Sequence, residues 1–468
     1  MPRLRALDGV RGIAVIAVLA SHTLAIAHGG FLGVDVFFVL SGYLITALLI
    51  REYEKTGRID FRGFYRRRVA RLAPAYLVMI AATVPLMIGP LHDTLKLPWP
   101  VAVAATFVYL GNWAQAVDTA NLGPLLHTWS LSVEEQFYVV WPVCFLFLAR
   151  RRRQALVRTM GWVVAVAVIG RPVAWSVFPG VWPYFATPTH CDGLLIGALV
   201  AVLMAWRDRR AAGREPSHRA FDTIPSGLRV LTDERFSELS AWLAAGVLGA
   251  EMVVLDISTP ATYWIGLTLS AVASAVLVRY LVISQGGPMA RLLSLGPLAA
   301  IGRVSYGLYL YHMPIFILVA RQHLGMIPTL GLQAGGTAAV TVLSWFTLEK
   351  PVQHWVARRW PRVTPVEPRL PSPYAAESQP RPYTLDGAWA AAGAVPYAAS
   401  GATPYPTSGV PYPAAAAPAP YPAPTPYPDA APPAPYPPPP PPGPFPAGPF
   451  PAGGPGQLLP APSGFVAV

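Results

Sequence analysis

The sequence has little charge. Only 12% of its 468 residues are Asp, Glu, Lys or Arg, whereas soluble domains carry about 25%. Hydrophobic residues make up 53% of the chain. This composition argues against a soluble globular enzyme and against an ordinary disordered protein. It is typical of a protein whose main partner is the lipid bilayer.

Cysteine and lysine are also scarce. The two cysteines, Cys144 and Cys191, lie in or beside apolar stretches. A disulfide framework is therefore not expected, and a redox pair is unsupported. Only three of the 35 basic residues are lysine. Together with the abundant alanine, this bias is typical of a GC-rich bacterial genome.

Proline is abundant but unevenly placed, because 34 of the 54 prolines fall in residues 361–468. This segment has no hydrophobic periodicity and repeats Pro-Tyr units, a composition that favours polyproline II and cannot bury a core. The sequence therefore predicts a transmembrane domain over 1–360 and a disordered Pro/Tyr/Ala-rich cytoplasmic tail over 361–468. The tail is either a solvated spacer, which we favour, or a docking tract for a cytoplasmic partner.

Ten apolar segments of residues 1–360 are long enough to predict membrane helices. They are 10–28, 31–50, 73–90, 133–149, 159–178, 190–206, 239–257, 261–283, 303–321 and 328–348. An eleventh apolar stretch, 98–116, is interrupted by Pro98, Pro100, Asn112 and Trp113. We predict an all-α membrane protein: a ten-transmembrane-helix bundle in which 98–116 is a re-entrant segment.

The positive charge supports this topology. A net charge of +12 is compatible with nucleic-acid binding, but the arginine clusters lie between apolar runs, as in the cytoplasmic loops of membrane proteins. With ten spans, Arg3 and Arg5, the basic segment 51–71 and Arg150–Arg153 all fall on the cytoplasmic side. We therefore predict a multi-pass protein of the bacterial plasma membrane with both termini in the cytoplasm, and no nucleic-acid partner.

Ionisable groups inside spans are costly, so each is a candidate functional residue. His22 lies in the first predicted span, and Asp8 and Arg11 lie near its cytoplasmic end. Because Arg11 and His22 are eleven residues apart, they share one helix face about 16 Å apart. A lone buried histidine more often hydrogen-bonds a neighbouring helix. The presence of Arg11 on the same helix face favours a functional role for His22.

The second span and the loop after it hold further candidates. Asp35 sits in an apolar run with small residues at Gly33, Ser41 and Gly42, and packing with an inter-helix hydrogen bond would explain it. In the basic loop, Arg68 and Arg71 face the same way, and with Arg67 they suit phosphate oxygens. Topology alone would also explain a basic loop.

Ser132 and Glu135 match a capping box at the start of a helix. The paired Glu134 and Glu135 beside His127 could also bind or activate a hydroxyl. Later in the chain, His312 is another titratable group within a span, and Glu349 could pair with a cytoplasmic arginine. Tyr306 lies in the same span as His312.

Five motifs in this order resemble the integral-membrane acyltransferase-3 family. They are Arg5–Ala14 followed by His22, Gly33–Gly42, Arg67–Arg71, His127–Glu134 and Ser305–Tyr309. The resemblance covers residues 3–355 and implies a ten-span enzyme with cytoplasmic termini. Such an enzyme moves an acyl group, often acetyl, from cytoplasmic acyl-CoA to a hydroxyl of a carbohydrate, an envelope glycan or a glycosylated metabolite.

The resemblance also implies roles for individual residues. His22 is the catalytic residue, Arg11 is the early arginine of the family, and Arg68 and Arg71 are its loop arginines. One departure is at His190–Cys191, where the family would have an arginine. Acyl-CoA, most simply acetyl-CoA, is the expected donor, and no metal is implied.

The chemistry expected from these roles is acyl transfer. His22 would act as the general base on the acceptor hydroxyl or carry the acyl group briefly. Arg11 would orient the thioester or stabilise developing negative charge, with Glu134 as a further catalytic candidate. The arginines 67, 68 and 71 would hold the CoA phosphates.

A proton-coupled transporter or exporter of a small molecule or glycan is the main alternative, because titratable groups within spans also build proton relays. Weak inverted repeats would be expected there, and none is visible. A membrane anchor that displays the Pro-rich tail would need neither His22 nor Glu134.

Overall fold

The computed structural model describes residues 4–23, 28–118, 122–149, 153–178, 181–211 and 237–360. These ranges are helical and contain no β-strand. The predicted Pro-rich tail and Arg150–Arg152 lie outside the described residues.

Seventeen α-helices lie in the described ranges. They are α1 (Arg5–Ser21), α2 (Gly33–Thr56), α3 (Phe61–Ile88), α4 (Trp99–Phe107), α5 (Gly111–Asp118), α6 (Thr128–Ala149), α7 (Arg153–Val177), α8 (Trp182–Phe185), α9 (Thr187–His190), α10 (Asp192–Ala211), α11 (Ser237–Val254), α12 (Leu267–Ile283), α13 (Pro288–Leu293), α14 (Gly296–Arg303), α15 (Ser305–Ala320), α16 (Met326–Ser344) and α17 (Lys350–Arg359).

Six helical segments of this part of the chain are long and apolar enough to cross a membrane. They are His28–Thr56, Phe61–Ile88, Thr128–Ala149, Val157–Val177, Thr262–Ile283 and Met326–Arg359, and two shorter apolar helices are Asp192–Ala205 and Ser305–Ala320. Many large apolar side chains on these helices are exposed, as expected for surfaces that face lipid. The chain is therefore an all-α, multi-pass membrane protein.

Each of the ten predicted spans coincides with a described helix. Six of these ten helices belong to segments that meet the length and hydropathy of a crossing. The other four are α1, which is short and includes three charged residues, α10 and α15, whose apolar parts are short, and α11. The number of ten crossings therefore stays a prediction.

The basic segment before the third span is helical, which corrects the predicted loop. Helix α2 ends at Thr56 and is capped by Gly57, whose φ of 66° is the left-handed conformation that glycine adopts readily. Helix α3 begins soon afterwards, because the Asp60 side chain accepts a hydrogen bond from the Gly63 amide at 2.9 Å. Arg68 and Arg71 consequently project from the second and third turns of α3.

The predicted re-entrant segment 98–116 is two short helices. Helices α4 and α5 have nine and eight residues, and neither reaches the roughly 20 residues that a crossing needs. The chain turns between them at Tyr109, whose φ is 56°, and the Tyr109 ring stacks on Tyr76 of α3 at 4.9 Å. This segment is therefore not a continuous transmembrane helix.

Glycines set the close packing of α2. The Leu194 carbonyl of α10 occupies the place that a Cβ on Gly42 would take, and the Val39 carbonyl does the same at Gly197. On the other side, Gly33 meets the Ala14 carbonyl of α1. Helices α1 and α10 can approach α2 this closely only because no side chain intervenes.

We expect Gly42→Val to destabilise the protein by about 1–3 kcal/mol, because the new side chain would force α10 away from α2. Thermal unfolding of the detergent-solubilised protein measures the effect. Gly335→Val on α16 is the matched control, because nothing lies within 4 Å of its added Cβ. Equal unfolding temperatures for the two variants would contradict the prediction.

Candidate active site

A cavity of about 140 Å³ lies between helices α1, α2, α3, α6 and α15. Its charged lining is Arg11, Arg68, Arg71 and Glu134. Its hydroxyl-bearing lining is Ser41, Ser130, Tyr138, Ser305, Tyr306 and Tyr309. Three guanidinium groups from two helices therefore face one cavity, although they are up to 60 residues apart in sequence.

Arg68 is held against α6. Its guanidinium carbon lies 3.0 Å from the centroid of the Tyr138 ring, a cation–π arrangement. The Tyr138 hydroxyl hydrogen-bonds Ser41 of α2. Arg68 and Arg11 attract the Glu134 carboxylate, and Ser41 and Tyr138 are within hydrogen-bonding reach of it. Glu134 therefore offsets part of the positive charge of two of the three cavity arginines.

The other two cavity arginines are set by different neighbours. The Arg11 Nε donates to the Ser305 hydroxyl at 3.4 Å, and its guanidinium lies 5.8 Å from the centroid of the Phe37 ring. Arg71 attracts the buried Glu349 carboxylate, which also accepts from the Ser344 hydroxyl at 3.4 Å. The basic neighbour of Glu349 is therefore Arg71, which also lines the cavity.

Arg67 lies apart from the other two arginines of its motif. One of its guanidinium nitrogens is 3.9 Å from the Glu52 carboxylate of α2, and the side chain is 37% exposed. Because consecutive helical residues point in different directions, Arg67 does not line the cavity. The structure brings Arg68 and Arg71 together with Arg11 and leaves Arg67 out.

His22 ends helix α1 and lies outside the arginine-lined cavity. Its Nδ1 donates to the Val18 carbonyl at 2.7 Å. The ring lies 5.2 Å from the His312 ring of α15, which lies 5.2 Å from the His127 ring before α6. These three residues form the histidine cluster.

Hydrogen bonds connect the histidine cluster with the cavity. The Tyr309 hydroxyl donates to the His127 carbonyl at 2.7 Å and is 2.6 Å from the Ser130 hydroxyl. Tyr309 and Ser130 both line the cavity. The His127 Nε2 donates to the Leu310 carbonyl at 2.9 Å, which ties α15 to the start of α6. The two regions are therefore neighbours but distinct.

The predicted capping box at Ser132 is wrong. Helix α6 begins at Thr128 and is separated by two residues from the turn Gly123–Leu125, so Ser132 lies in its second turn. Its hydroxyl donates to the Thr128 carbonyl at 3.1 Å inside the helix. Glu134 also lies seven residues after His127, about 10 Å along the axis, so the carboxylate belongs to the cavity and not to the histidine cluster.

Three supporting residues take structural positions. Asp8 lies in the first turn of α1, where its carbonyl meets Gly302 of α14. The Tyr306 hydroxyl donates to the Leu72 carbonyl at 2.9 Å and joins α15 to α3. The His190 Nε2 donates to the buried Asp35 carboxylate at 3.0 Å, which is the inter-helix hydrogen bond expected of Asp35.

Arg171 of α7 places a guanidinium beside His190–Cys191, where the resemblance implied an arginine, because it contacts the flanking residues Thr189 and Asp192. Its guanidinium is fully buried, pairs with Asp192 at 2.5 Å and donates to the Thr189 carbonyl at 2.8 Å. The sequence reasoning missed Arg171, although an arginine inside the span 159–178 is the signal that should have identified it.

A family profile described as an acyltransferase domain, acyltransferase-3, matches residues 4–349. The chain belongs to the acyltransferase-3 family. It is 33% identical over 366 residues to the O-acetyltransferase OatA of Staphylococcus aureus, covering 74% of this chain and 57% of that protein. It is 31% identical over 374 residues to the peptidoglycan O-acetyltransferase OatA of Listeria monocytogenes, covering 74% and 55%.

These comparisons establish the family of the chain. The chain spans little more than half the length of the relatives it matches. No solved structure matches it. In the part of the chain that the structure describes, no group of three His, Cys, Asp or Glu side chains is arranged to hold a metal ion.

Proposed function

We propose that this acyltransferase-3 protein moves an acetyl group from cytoplasmic acyl-CoA to a hydroxyl of a cell-envelope glycan. The observation that carries the proposal is that α1 connects the two regions. Its Arg11 lines the cavity, and His22 at its C-terminal end belongs to the histidine cluster. An elongated donor with phosphates at one end and a thioester at the other suits this arrangement. The relatives named as O-acetyltransferases support the acetyl group and the glycan acceptor.

The basic ends of two helices support the proposed orientation. The guanidinium of Arg66, near the start of α3, lies 4.8 Å from the Trp360 ring, and that of Arg359 lies 5.6 Å from the same ring. The start of α3 and the end of α17 therefore share one basic end of the bundle. By the positive-inside rule we place this end in the cytoplasm, with Arg68 and Arg71 within reach of a cytoplasmic donor.

The donor would bind with its phosphates at Arg68 and Arg71, because planar guanidinium groups match phosphate oxygens. The cavity, at about 140 Å³, is smaller than the 300–1,000 Å³ typical of small-molecule sites. It therefore accommodates only part of the donor. Arg11 and His22 are about 16 Å apart along α1, so Arg11 would orient the body of the donor and not its thioester carbonyl.

His22 would act as the general base. Because the Val18 carbonyl can only accept, Nδ1 carries the proton in the neutral ring and Nε2 keeps its lone pair. Nε2 takes the proton of the acceptor hydroxyl as the hydroxyl oxygen attacks the thioester carbonyl. The C–S bond breaks, and the CoA thiolate leaves with the proton from His22.

We expect Arg68→Gln and Arg71→Gln each to raise the KM for acetyl-CoA about 10- to 100-fold, because each removes a charge-assisted hydrogen bond to phosphate. The measurement is transfer of labelled acetyl groups from acetyl-CoA to soluble peptidoglycan fragments by the full chain in detergent. Arg67→Gln is the matched control, because Arg67 pairs with Glu52 outside the cavity. An unchanged donor KM in both cavity variants would rule out their role.

A further inference from the structure

Helix α17 presents a row of basic side chains beside exposed aromatic rings. Lys350, His354 and Arg358 are spaced four residues apart, one per turn on one face, and line an open groove of about 470 Å³. Phe346 and Trp355, each 60% exposed, line the same groove. We define these five residues as the α17 groove.

The positive charge of the groove is uncompensated. Residues 350–360 contain no Asp or Glu, and no ion pair joins Lys350 or Arg358 to an acid in the part of the chain that the structure describes. The Lys350 ammonium lies 5.5 Å from the centroid of the Phe346 ring. Neither the cavity nor the histidine cluster includes any of these residues, so the proposed acetyl transfer does not account for them.

The position of α17 points to the membrane surface. The helix forms the C-terminal end of the apolar helical segment Met326–Arg359, and its Val356 is buried. The exposed ring of Trp360 stands at its end, beside Arg66 of α3. Aromatic rings of this kind concentrate at the headgroup level, and cations at that level attract anionic lipid.

We propose that the α17 groove binds the headgroup of an anionic phospholipid of the surrounding leaflet. Lys350 and Arg358 pair with the phosphate and a second acidic or hydroxyl oxygen, and His354 between them contributes a ring nitrogen. Phe346 and Trp355 cover the glycerol backbone and the first methylene groups of the acyl chains. The site is separate from the cavity proposed for acyl-CoA.

The test measures binding of short-chain phosphatidylglycerol to the full chain in neutral detergent, with short-chain phosphatidylcholine as the zwitterionic comparison. We expect phosphatidylglycerol to bind more tightly. Lys350→Gln/Arg358→Gln should weaken its binding about 25-fold, about fivefold for each cation. Lys55→Gln/Arg58→Gln is the matched control, because it removes the same two charges from the exposed end of α2 and the turn after it.

Each other outcome overturns the proposal. Equal binding of the two lipids by the unmodified protein shows that the groove does not recognise anionic headgroups. Equal binding of glycerol phosphate shows a free-anion site, and displacement by CoA assigns the groove to the acyl donor. Equal loss in the two double variants shows a non-specific charge effect. Because Lys350 and Arg358 are both exposed, we expect the Lys350→Gln/Arg358→Gln protein to fold normally.

Discussion

Replacing His22 with alanine should lower the rate of acetyl transfer about 10²- to 10⁴-fold, the usual contribution of a general base. The ring is positioned for this role by the 2.7 Å hydrogen bond from Nδ1 to the Val18 carbonyl, which leaves Nε2 as the acceptor. Its neighbour His312 lies 5.2 Å away and limits the orientations of the ring. The measurement is the single-turnover rate at saturating acetyl-CoA and glycan.

The His22→Ala experiment needs two controls. His28→Ala removes an exposed histidine six residues later and should leave the rate unchanged. The KM for acetyl-CoA should also stay within about threefold in His22→Ala, because the phosphates bind at the other region of the site. If a well-folded His22→Ala protein turned over at the rate of the unmodified protein, His22 would not be the general base. Another residue would then have to accept the proton of the acceptor hydroxyl.

Replacing Arg171 with methionine should destabilise the protein by about 3–5 kcal/mol, because it leaves the Asp192 carboxylate buried without its partner. The same change removes the donors to the Thr189 carbonyl and the Thr268 hydroxyl. Helices α7, α10 and α12 meet at this guanidinium. Thermal unfolding in detergent, with the yield of monodisperse protein, measures the effect.

The double variant Arg171→Met/Asp192→Leu separates the ion pair from packing. Removing both charges leaves no buried carboxylate without a partner, so most of the lost stability should return. If the double variant is as unstable as Arg171→Met, the loss comes from packing or from the bonds to Thr189 and Thr268. The charge of Asp192 would then contribute little.

The helices themselves could be predicted from the sequence. Apolar segments of about 20 residues make helices because a backbone in lipid must satisfy its own hydrogen bonds, and every predicted span coincides with a described helix. The boundaries were less accurate. Helix α3 begins twelve residues before the predicted span, because the N-cap at Asp60 outweighs the hydropathy of its basic first turns.

The candidate site could be predicted only in part. Motif order identified the charged members of the cavity, Arg11, Arg68, Arg71 and Glu134, as candidates. It also selected Arg67, which turns toward Glu52. A helix places successive side chains about 100° apart, so a basic run does not reveal which member faces inward. Nothing in the sequence identified Ser41, Ser130 and Tyr309 as residues that line the cavity, because hydroxyl side chains are common in apolar helices.

By itself, the sequence determined the features that depend on residues close together along the chain. The scarcity of charge and the length of the apolar runs required membrane helices, and the order of the motifs indicated the acyltransferase-3 family. Only the tertiary structure decided which distant residues meet. His22 lies beside His312, 290 residues later, and Arg171 pairs with Asp192 of a different helix. Such contacts depend on how the helices pack, which glycines such as Gly42 permit and no local pattern encodes.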